Sequence, residues 1–339
     1  MGTGDGSGAG APVISVVIPA FNASSTLARQ LEALSRNAMS EPWEVLVADN
    51  GSTDDTVDVA RSWADRLPLR VLDASARRGP AAARNLGAAS ARSPYLAFCD
   101  ADDVVADDWL PKVLVALRID EFVAIGVRLR AAYSSRKHPQ YVTYSAYASI
   151  YLPGFIACGA GHMAVRADVF RRIGGFDESM LTAEDHDFCY RVQLEGHPLV
   201  PHPEAMVTVN RRDRLIDVFR QQFRWGANDG AIRHKYERVR TVLERALAEG
   251  RLAPVDPRAV AVTPLGPHVA RSGGVRAAVR SPGAFADLVA RRWSRASIRF
   301  AERVAFRVGR WSTRTDPSRP ELDAALAERY VAARAVGWD

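Results

Sequence analysis

The stretch Val13-Ile14-Ser15-Val16-Val17-Ile18, closed by Pro19-Ala20-Phe21-Asn22, decides how this chain is read. A short apolar run of this kind is the pattern of a strand covered on both faces, and Pro19 marks its end. Ser24 or Ser25 can cap the next segment, where Leu27, Leu31 and Leu34 stand at helical spacing. The unit then recurs. Trp43 to Ala48 is a second buried strand, closed by Asp49-Asn50-Gly51-Ser52, and Thr53 or Asp54 starts a helix through Arg61 and Trp63. Leu69 to Leu72 makes a third strand, Pro80 to Ala91 a helix, and Tyr95 to Cys99 a fourth strand. Strands alternating with helices imply right-handed crossovers. The expected fold is therefore α/β, a mostly parallel central sheet with helices on both faces.

In such sheets ligands bind beyond the carboxyl ends of the strands. Those ends carry Pro19-Ala20-Phe21-Asn22, then Asp49-Asn50-Gly51-Ser52, then Asp100-Ala101-Asp102-Asp103. Three carboxylates this close repel one another, and each is costly to desolvate unless a positive group binds. Mg²⁺ or Mn²⁺ would satisfy them, since such ions sit on one or two carboxylates plus substrate phosphates. The plainer alternative is an exposed acidic turn that caps the next helix.

Further on, Trp109 to Ile119 reads as a helix and Phe122 to Leu129 as a strand. Residues 131 to 157, rich in Tyr and Ser, read as a long loop region with one helix at most, and a loop of that length is more often functional than idle. Order returns with Gly159 to Arg166, a helix through Phe170, the turn Ile173-Gly174-Gly175-Phe176 and a helix from Glu184 to Glu195. Short strands from Leu199 to Asn210 close the domain.

A length of 339 residues suggests one large domain plus an appendage. The chain is 47% hydrophobic and 25% charged, as soluble globular proteins are. No apolar run is long enough to span a bilayer. The Gly-rich start, residues 1–11, has no secretory pattern and reads as a disordered tail. Cys99, Cys158 and Cys189 have no metal-ligand spacing and fit reduced thiols in a cytoplasm. The net charge is +6, yet ten arginines against two acids, Asp287 and Glu302, fall between Arg271 and Trp311. Basicity thus belongs to the C-terminal part and gives no reason to expect a nucleic-acid partner for the main domain.

Taken together, seven ordered segments resemble the family 2 glycosyltransferases, inverting enzymes of the GT-A fold, over residues 13 to 226. They are Val16-Val-Ile-Pro-Ala-Phe-Asn22, Val47-Ala-Asp-Asn-Gly-Ser-Thr-Asp-Asp-Thr56, Gly79-Pro-Ala-Ala-Ala-Arg-Asn-Leu-Gly87 and Phe98-Cys-Asp-Ala-Asp-Asp103, followed by Gly174-Gly-Phe-Asp177, Glu184-Asp185 and Gln221-Gln-Phe-Arg-Trp225. The division it implies is a tail over 1–11, a GT-A domain over 12–226 and a basic, mainly helical region over 227–339. By resemblance, Pro19, Ala20 and Phe21 line a nucleotide pocket and Asp49 accepts a hydrogen bond from the base. Arg84 lies near nucleotide or phosphate, Asp100 contacts ribose and Asp102 binds the metal. Each has a plainer reading too: Asp49 as a helix cap, Arg84 as a solvated helix charge.

The same resemblance makes Asp185 the catalytic base, with Glu184 second, taking the acceptor hydroxyl proton as its oxygen attacks the anomeric carbon. Both also suit a helix N-terminus. Arg224 and Trp225 fit a QxxRW pattern that faces diphosphate and acceptor in relatives; a helix face packed beneath the domain is the alternative. Many relatives carry a metal-binding His where this chain has Asn210, a weaker ligand, and His202 reads as a loop histidine. The implied donor is a UDP-, GDP- or dTDP-sugar and the acceptor a glycan, lipid-linked or small-molecule hydroxyl. A sugar-nucleotide nucleotidyltransferase and an inactive nucleotide-sugar binder are the competing functions. The first would want a Gly-rich basic loop where Pro19-Ala20-Phe21-Asn22 stands.

Phe285, Leu288, Val289, Trp293, Ile298, Val304 and Val308 fall near helical spacing with arginines between them. A helical hairpin packed on the domain is the favoured reading of 271–311. Peripheral contact with an anionic membrane, at the inner face of the plasma membrane, is its rival.

Overall fold

The computed structural model describes residues 10–130, 141–209, 215–255, 263–265, 303–308, 310 and 320–335. Strands β1 (Ile14–Ala20), β2 (Trp43–Asp49), β3 (Leu69–Asp73) and β4 (Tyr95–Phe98) are joined by helices α1 (Ser24–Ser35), α2 (Thr56–Arg61) and α3 (Pro80–Ser90). They lie parallel in the order β3-β2-β1-β4. β1 is buried on both faces, as its continuous apolar run requires. Ile14, Val16 and Ile18 pack with Leu27, Leu31 and Leu34 of α1, while Val17 faces the opposite core with Ala81 and Ala88 of α3. Each Leu so buried contributes about 1.5–3 kcal/mol. Ser15, on the Val17 side, is fully buried but satisfied by Glu44 at 2.8 Å and Ser93 at 2.7 Å.

The second half of the sheet is mixed. After β5 (Val104–Val105) and helix α4 (Trp109–Ile119), β6 (Phe122–Arg130) turns back towards the centre. β10 (Met163–Arg166) inserts antiparallel between β4 and β6, and β11 (Val200–Val209) runs parallel beside β6. β11 is one strand rather than several short ones, with a register shift between His202 and Met206. Helices α5 (Ala167–Ile173) and α6 (Glu184–Leu194) lie between β10 and β11 in the chain. Of the tyrosine-rich segment, residues 131–140 fall outside the described residues. The rest forms β7 (Tyr141–Tyr144), β8 (Tyr147–Ala148) and β9 (Ile156–Ala157) with no helix among the described residues. Tyr, Val and Thr fill β7, side chains that favour a pleated surface over a helix.

Helix α7 (Leu215–Lys235) runs unbroken through position 226, where the sequence reading places a boundary. Tyr236, which immediately precedes α8 (Glu237–Ala248), Leu243 within α8, and Tyr330 of α9 (Ala324–Ala335) join the same apolar cluster as Phe98 and Phe188. Tyr330 lies 4.8 Å from Phe155, ring to ring. Most of 271–311 lies outside the described residues. Where its end is described, a Cβ on Gly226 would strike the Phe306 backbone, so residues 303–308 lie directly on α7. β12 (Thr263–Leu265) adds to β7. No helix among the described residues is long and apolar enough to cross a membrane.

One contact sets α3 against the sheet. A Cβ on Gly87 runs into the Val17 side chain, and Val17 is fully buried at the centre of β1. Gly87→Ala is expected to cost about 1–3 kcal/mol through overpacking. Urea denaturation would show it as a lower midpoint with an unchanged slope.

Candidate functional site

The carboxyl-end loops hold one another in place. Asn22, in the left-handed region at φ 49°, accepts the Thr53 N–H at 2.8 Å, and its own N–H reaches the Ser52 hydroxyl at 2.9 Å. Asn50 spans Ala74, Arg77 and Gly79 with bonds of 2.7, 2.8 and 2.7 Å. Neither Ser24 nor Ser25 caps α1, and α2 starts at Thr56 rather than at Thr53 or Asp54. Asp54 instead accepts the N–H groups of both Ser24 and Thr56 at 3.1 Å. Hydrogen bonds from Thr56 and Ser24 hold its carboxyl down at about 2.

Asp49 ends β2 buried. Its Oδ2 accepts the N–H groups of Gly51 at 3.2 Å and Ser52 at 3.1 Å, while Oδ1 is buried with no hydrogen-bond partner among the described residues. The turn function and a free acceptor therefore coexist on one side chain. Ala20 is buried beside it, Pro19 is half-buried, and Phe21 is 57% exposed.

Arg84 is not a solvated helix charge. It is 5% exposed on α3 and reaches Asp100 Oδ1 at 2.6 Å and Glu184 Oε1 at 3.2 Å. Its guanidinium carbon stands 5.8 Å from the centre of the Phe176 ring. Burial works against its charge, but Asp100 and Glu184 together hold its pKa above the ordinary value. One cation thus joins the end of β4 to the start of α6.

The three acids after β4 occupy three environments. Asp102 is exposed, Asp100 is a third exposed, and Asp103 is 3% exposed. Asp103 is pushed up to about 6 by burial, with His162 opposing the shift. His162 Nε2 stands 3.4 Å from Asp103 Oδ2, an ion-pair distance without hydrogen-bond alignment. Nothing in the spacing of His162, in the turn Ala160–His162, singles it out in the sequence. Its neighbour Gly161 lies so close that a Cβ there would stand 2.6 Å from the Asp100 carboxylate. Among the described residues no three His, Cys, Asp or Glu side chains form a ready-made metal cluster.

Glu184 and Asp185 open α6, after Ala183 in the left-handed region at φ 65°. Burial pushes Glu184 up to about 7, with Asp185 adding to the shift and Arg84 opposing it. Burial opposes the Asp185 charge as well, but His186 beside it holds that carboxyl below its ordinary value. Adjacent acids thus have opposite tendencies.

Arg224 is exposed and Trp225 is 46% exposed on α7, so neither is packed beneath the domain. Among the described residues no hydrogen bond or ion pair joins them to Arg84, whose partners are Asp100 and Glu184. Asn210 lies outside the described residues. His202 is part of β11, held between Asp120 and Glu204 at 2.8 Å each. A surface cavity of about 370 Å³, lined by Pro94, Tyr95, Arg166, Asp168 and Arg171, opens at the amino end of β4. That is the edge away from the converging carboxylates, so it does not mark the site.

The family model described as glycosyl transferase family 2 matches residues 15–174. A validoxylamine A glucosyltransferase from Streptomyces hygroscopicus subsp. jinggangensis is 31% identical over 229 residues, covering 57% of this chain and 54% of its own length. A pre-mycofactocin glycosyltransferase of Mycobacterium tuberculosis is 29% identical over 245 residues, covering 65% of this chain and 48% of its own. The chain thus spans about half the length of these curated relatives. Among solved structures, a mannosyltransferase from Pyrobaculum calidifontis in complex with GDP-Man and Mn²⁺ superposes with a TM-score of 0.50 at 17% identity. That superposition covers 97% of this chain and 88% of the other, a likeness of fold.

The Arg84 bridge has a measurable signature. Arg84→Met leaves Glu184 buried without its cation and should cost about 3 kcal/mol. Glu184 holds its proton more tightly folded than unfolded, so its contribution to stability is greatest below 4.5 and is lost as pH rises through about 7. Removing Arg84 raises Glu184 further. The variant's deficit in urea denaturation should therefore be larger at pH 8 than at pH 5.

Proposed function

Because residues 15–174 belong to glycosyl transferase family 2, we propose that the protein is an inverting glycosyltransferase working on a nucleotide-diphosphate sugar. The observation that carries the reading is Arg84 between Asp100 at 2.6 Å and Glu184 at 3.2 Å. It brings the strand-end acids, suited to a donor, next to the helix start that holds the acceptor-side acids.

In this reading the base of the nucleotide lies against Phe21 and gives an N–H to the Asp49 carboxylate. Asp100, fixed by Arg84, holds the ribose. Asp185 takes the acceptor hydroxyl proton as that oxygen bonds to the anomeric carbon and the bond from that carbon to the diphosphate oxygen breaks. The departing electron pair goes to the diphosphate. Asp185 suits the role better than Glu184. Its carboxyl is held ionised, whereas Glu184 is engaged with Arg84 and half-protonated near neutrality. General-base help of this kind is worth about 10²–10⁴-fold. Arg224 and Trp225, exposed on α7, are proposed to meet diphosphate and acceptor.

The acids fit a divalent ion that takes most of its ligands from substrate. With Asp103 turned inward to His162, exposed Asp102 is left as the carboxylate to hold Mg²⁺ or Mn²⁺, with Asn210 as the proposed second ligand. Such ions need only one or two protein carboxylates beside phosphates and water. When bound, the ion would neutralise charge developing on the leaving diphosphate. The donor is proposed to be a UDP-, GDP- or dTDP-sugar and the acceptor a glycan, lipid-linked or small-molecule hydroxyl. Flotation of the full chain with anionic liposomes tests the membrane alternative for 271–311.

Purified protein with Mn²⁺ should hydrolyse one nucleotide sugar slowly and be stabilised thermally by its nucleoside diphosphate. Asp102→Ala should lose metal-dependent binding, whereas Asp185→Asn should keep binding and lose about 10²–10⁴-fold in transfer. A full donor panel without a metal-dependent thermal shift would overturn the assignment.

A further inference from the structure

His186 takes no part in the mechanism above, yet it is the group most firmly attached to its base. The His186 backbone N–H reaches Asp185 Oδ1 at 2.8 Å, and the ring Nδ1 stands 3.0 Å from the same oxygen. An ionised carboxylate only accepts, so Nδ1 carries the proton of this bond. Both donors fall on Oδ1. Among the described residues Oδ2 has no hydrogen-bond partner, and the Asp185 side chain remains 22% exposed.

The imidazole is itself enclosed. The Tyr147 and Tyr151 rings each lie 5.6 Å from it, at 53° and 86°, and the Tyr190 ring lies at 6.1 Å. The Tyr147 hydroxyl faces Nε2 at 3.4 Å. Tyr190, one turn along α6, is in turn held by Ser149 at 2.6 Å. Tyr147, Ser149 and Tyr151 all belong to the segment between β7 and β9, which the sequence marks as a functional loop. Burial works against the imidazole charge, but Asp185 beside it holds the His186 pKa up, consistent with a lasting Nδ1–H donor.

A carboxylate at the first turn of a helix already gains from the helix dipole, so a histidine is not needed there to keep it ionised. What the dipole leaves undetermined is rotation of the carboxylate. A base must present one lone pair to the acceptor within roughly 0.5 Å and 10–20°. We propose that His186 is a positioning residue that pins the Asp185 carboxylate through Oδ1, so that Oδ2 is the atom presented to the acceptor hydroxyl, and that Tyr147 locks the imidazole in place. The segment between β7 and β9 thereby sets the aim of the base without touching the donor. This rests on Asp185 being the base.

The experiment uses the full chain, the nucleotide sugar that the wild type hydrolyses, and water as acceptor, with release of the nucleoside diphosphate as readout. His186→Ala should lower kcat by about 10–100-fold, the scale of a misplaced catalytic group. Donor KM and diphosphate affinity should stay within about twofold of the wild type. His186→Asn, whose amide N–H can replace Nδ1–H, should recover most of the loss, and Tyr147→Phe should lower kcat less than His186→Ala does. An unchanged kcat in His186→Ala, equal losses in the Ala and Asn variants, or a parallel loss of diphosphate affinity would each overturn the proposal. Asp185→Asn separates the two ideas. If it retains kcat, the base assignment fails; if it loses kcat while His186→Ala does not, only the positioning role fails. A wild type that releases no nucleoside diphosphate from any donor class would overturn both.

Discussion

A single buried guanidinium holds the site together. Arg84 stands between carboxylates 16 and 100 residues away in the chain, and neither is near it in sequence. Its neighbour Asn85 grips the Phe176 backbone on both sides, donating to the carbonyl and accepting from the N–H at 2.9 Å each. Two successive residues of α3 therefore fix the approach to α6. α3 can offer them because Gly87, one turn on, lets the helix lie against Val17 of β1. Burial makes the arrangement strong and also unforgiving, since a charge taken out of water is tolerated only while its partners remain.

The same burial separates acids that a sequence cannot tell apart. Glu184 and Asp185 are adjacent, yet one is pushed up to about 7 and the other held down. The difference lies in their company, desolvation for Glu184 and the His186 imidazole for Asp185. Asp102 and Asp103 divide likewise, one exposed and one turned into the protein against His162. An exposed acid suits binding from solvent, and a buried one suits holding the loop. Division of labour between neighbouring carboxylates is a product of environment.

Much of the fold was legible because its first half is locally consistent. The runs at Val13, Trp43, Leu69 and Tyr95 are mainly apolar, interrupted by Ser15, Glu44 and Arg70, and the helices between them carry apolar stripes. The boundaries of α4 agree to the residue. Legibility fell where partners are distant. The first N–H of α1, that of Ser24, is taken by Asp54 thirty positions away, so local capping rules pointed at the wrong side chain. The segment 141–157 looked irregular because its strands are only two to four residues long, too short for a side-chain period to show. The boundary placed at 226 falls within α7, whose far end ties Lys235 to Asp177 at 2.7 Å and to buried Asp187 at 2.6 Å.

By itself the sequence determined the α/β alternation and which acids stand at the carboxyl edge of the sheet. Side-chain period and strand-end position depend on neighbouring residues, and so does their order along the chain. Tertiary structure alone decided that Arg84 is a buried bridge, that Asp103 faces His162, and that Asp185 is held by a histidine inside a ring of tyrosines. Those depend on which segments meet and how much water they exclude. Pair distances and desolvation are properties of the packed chain, and no local pattern encodes them.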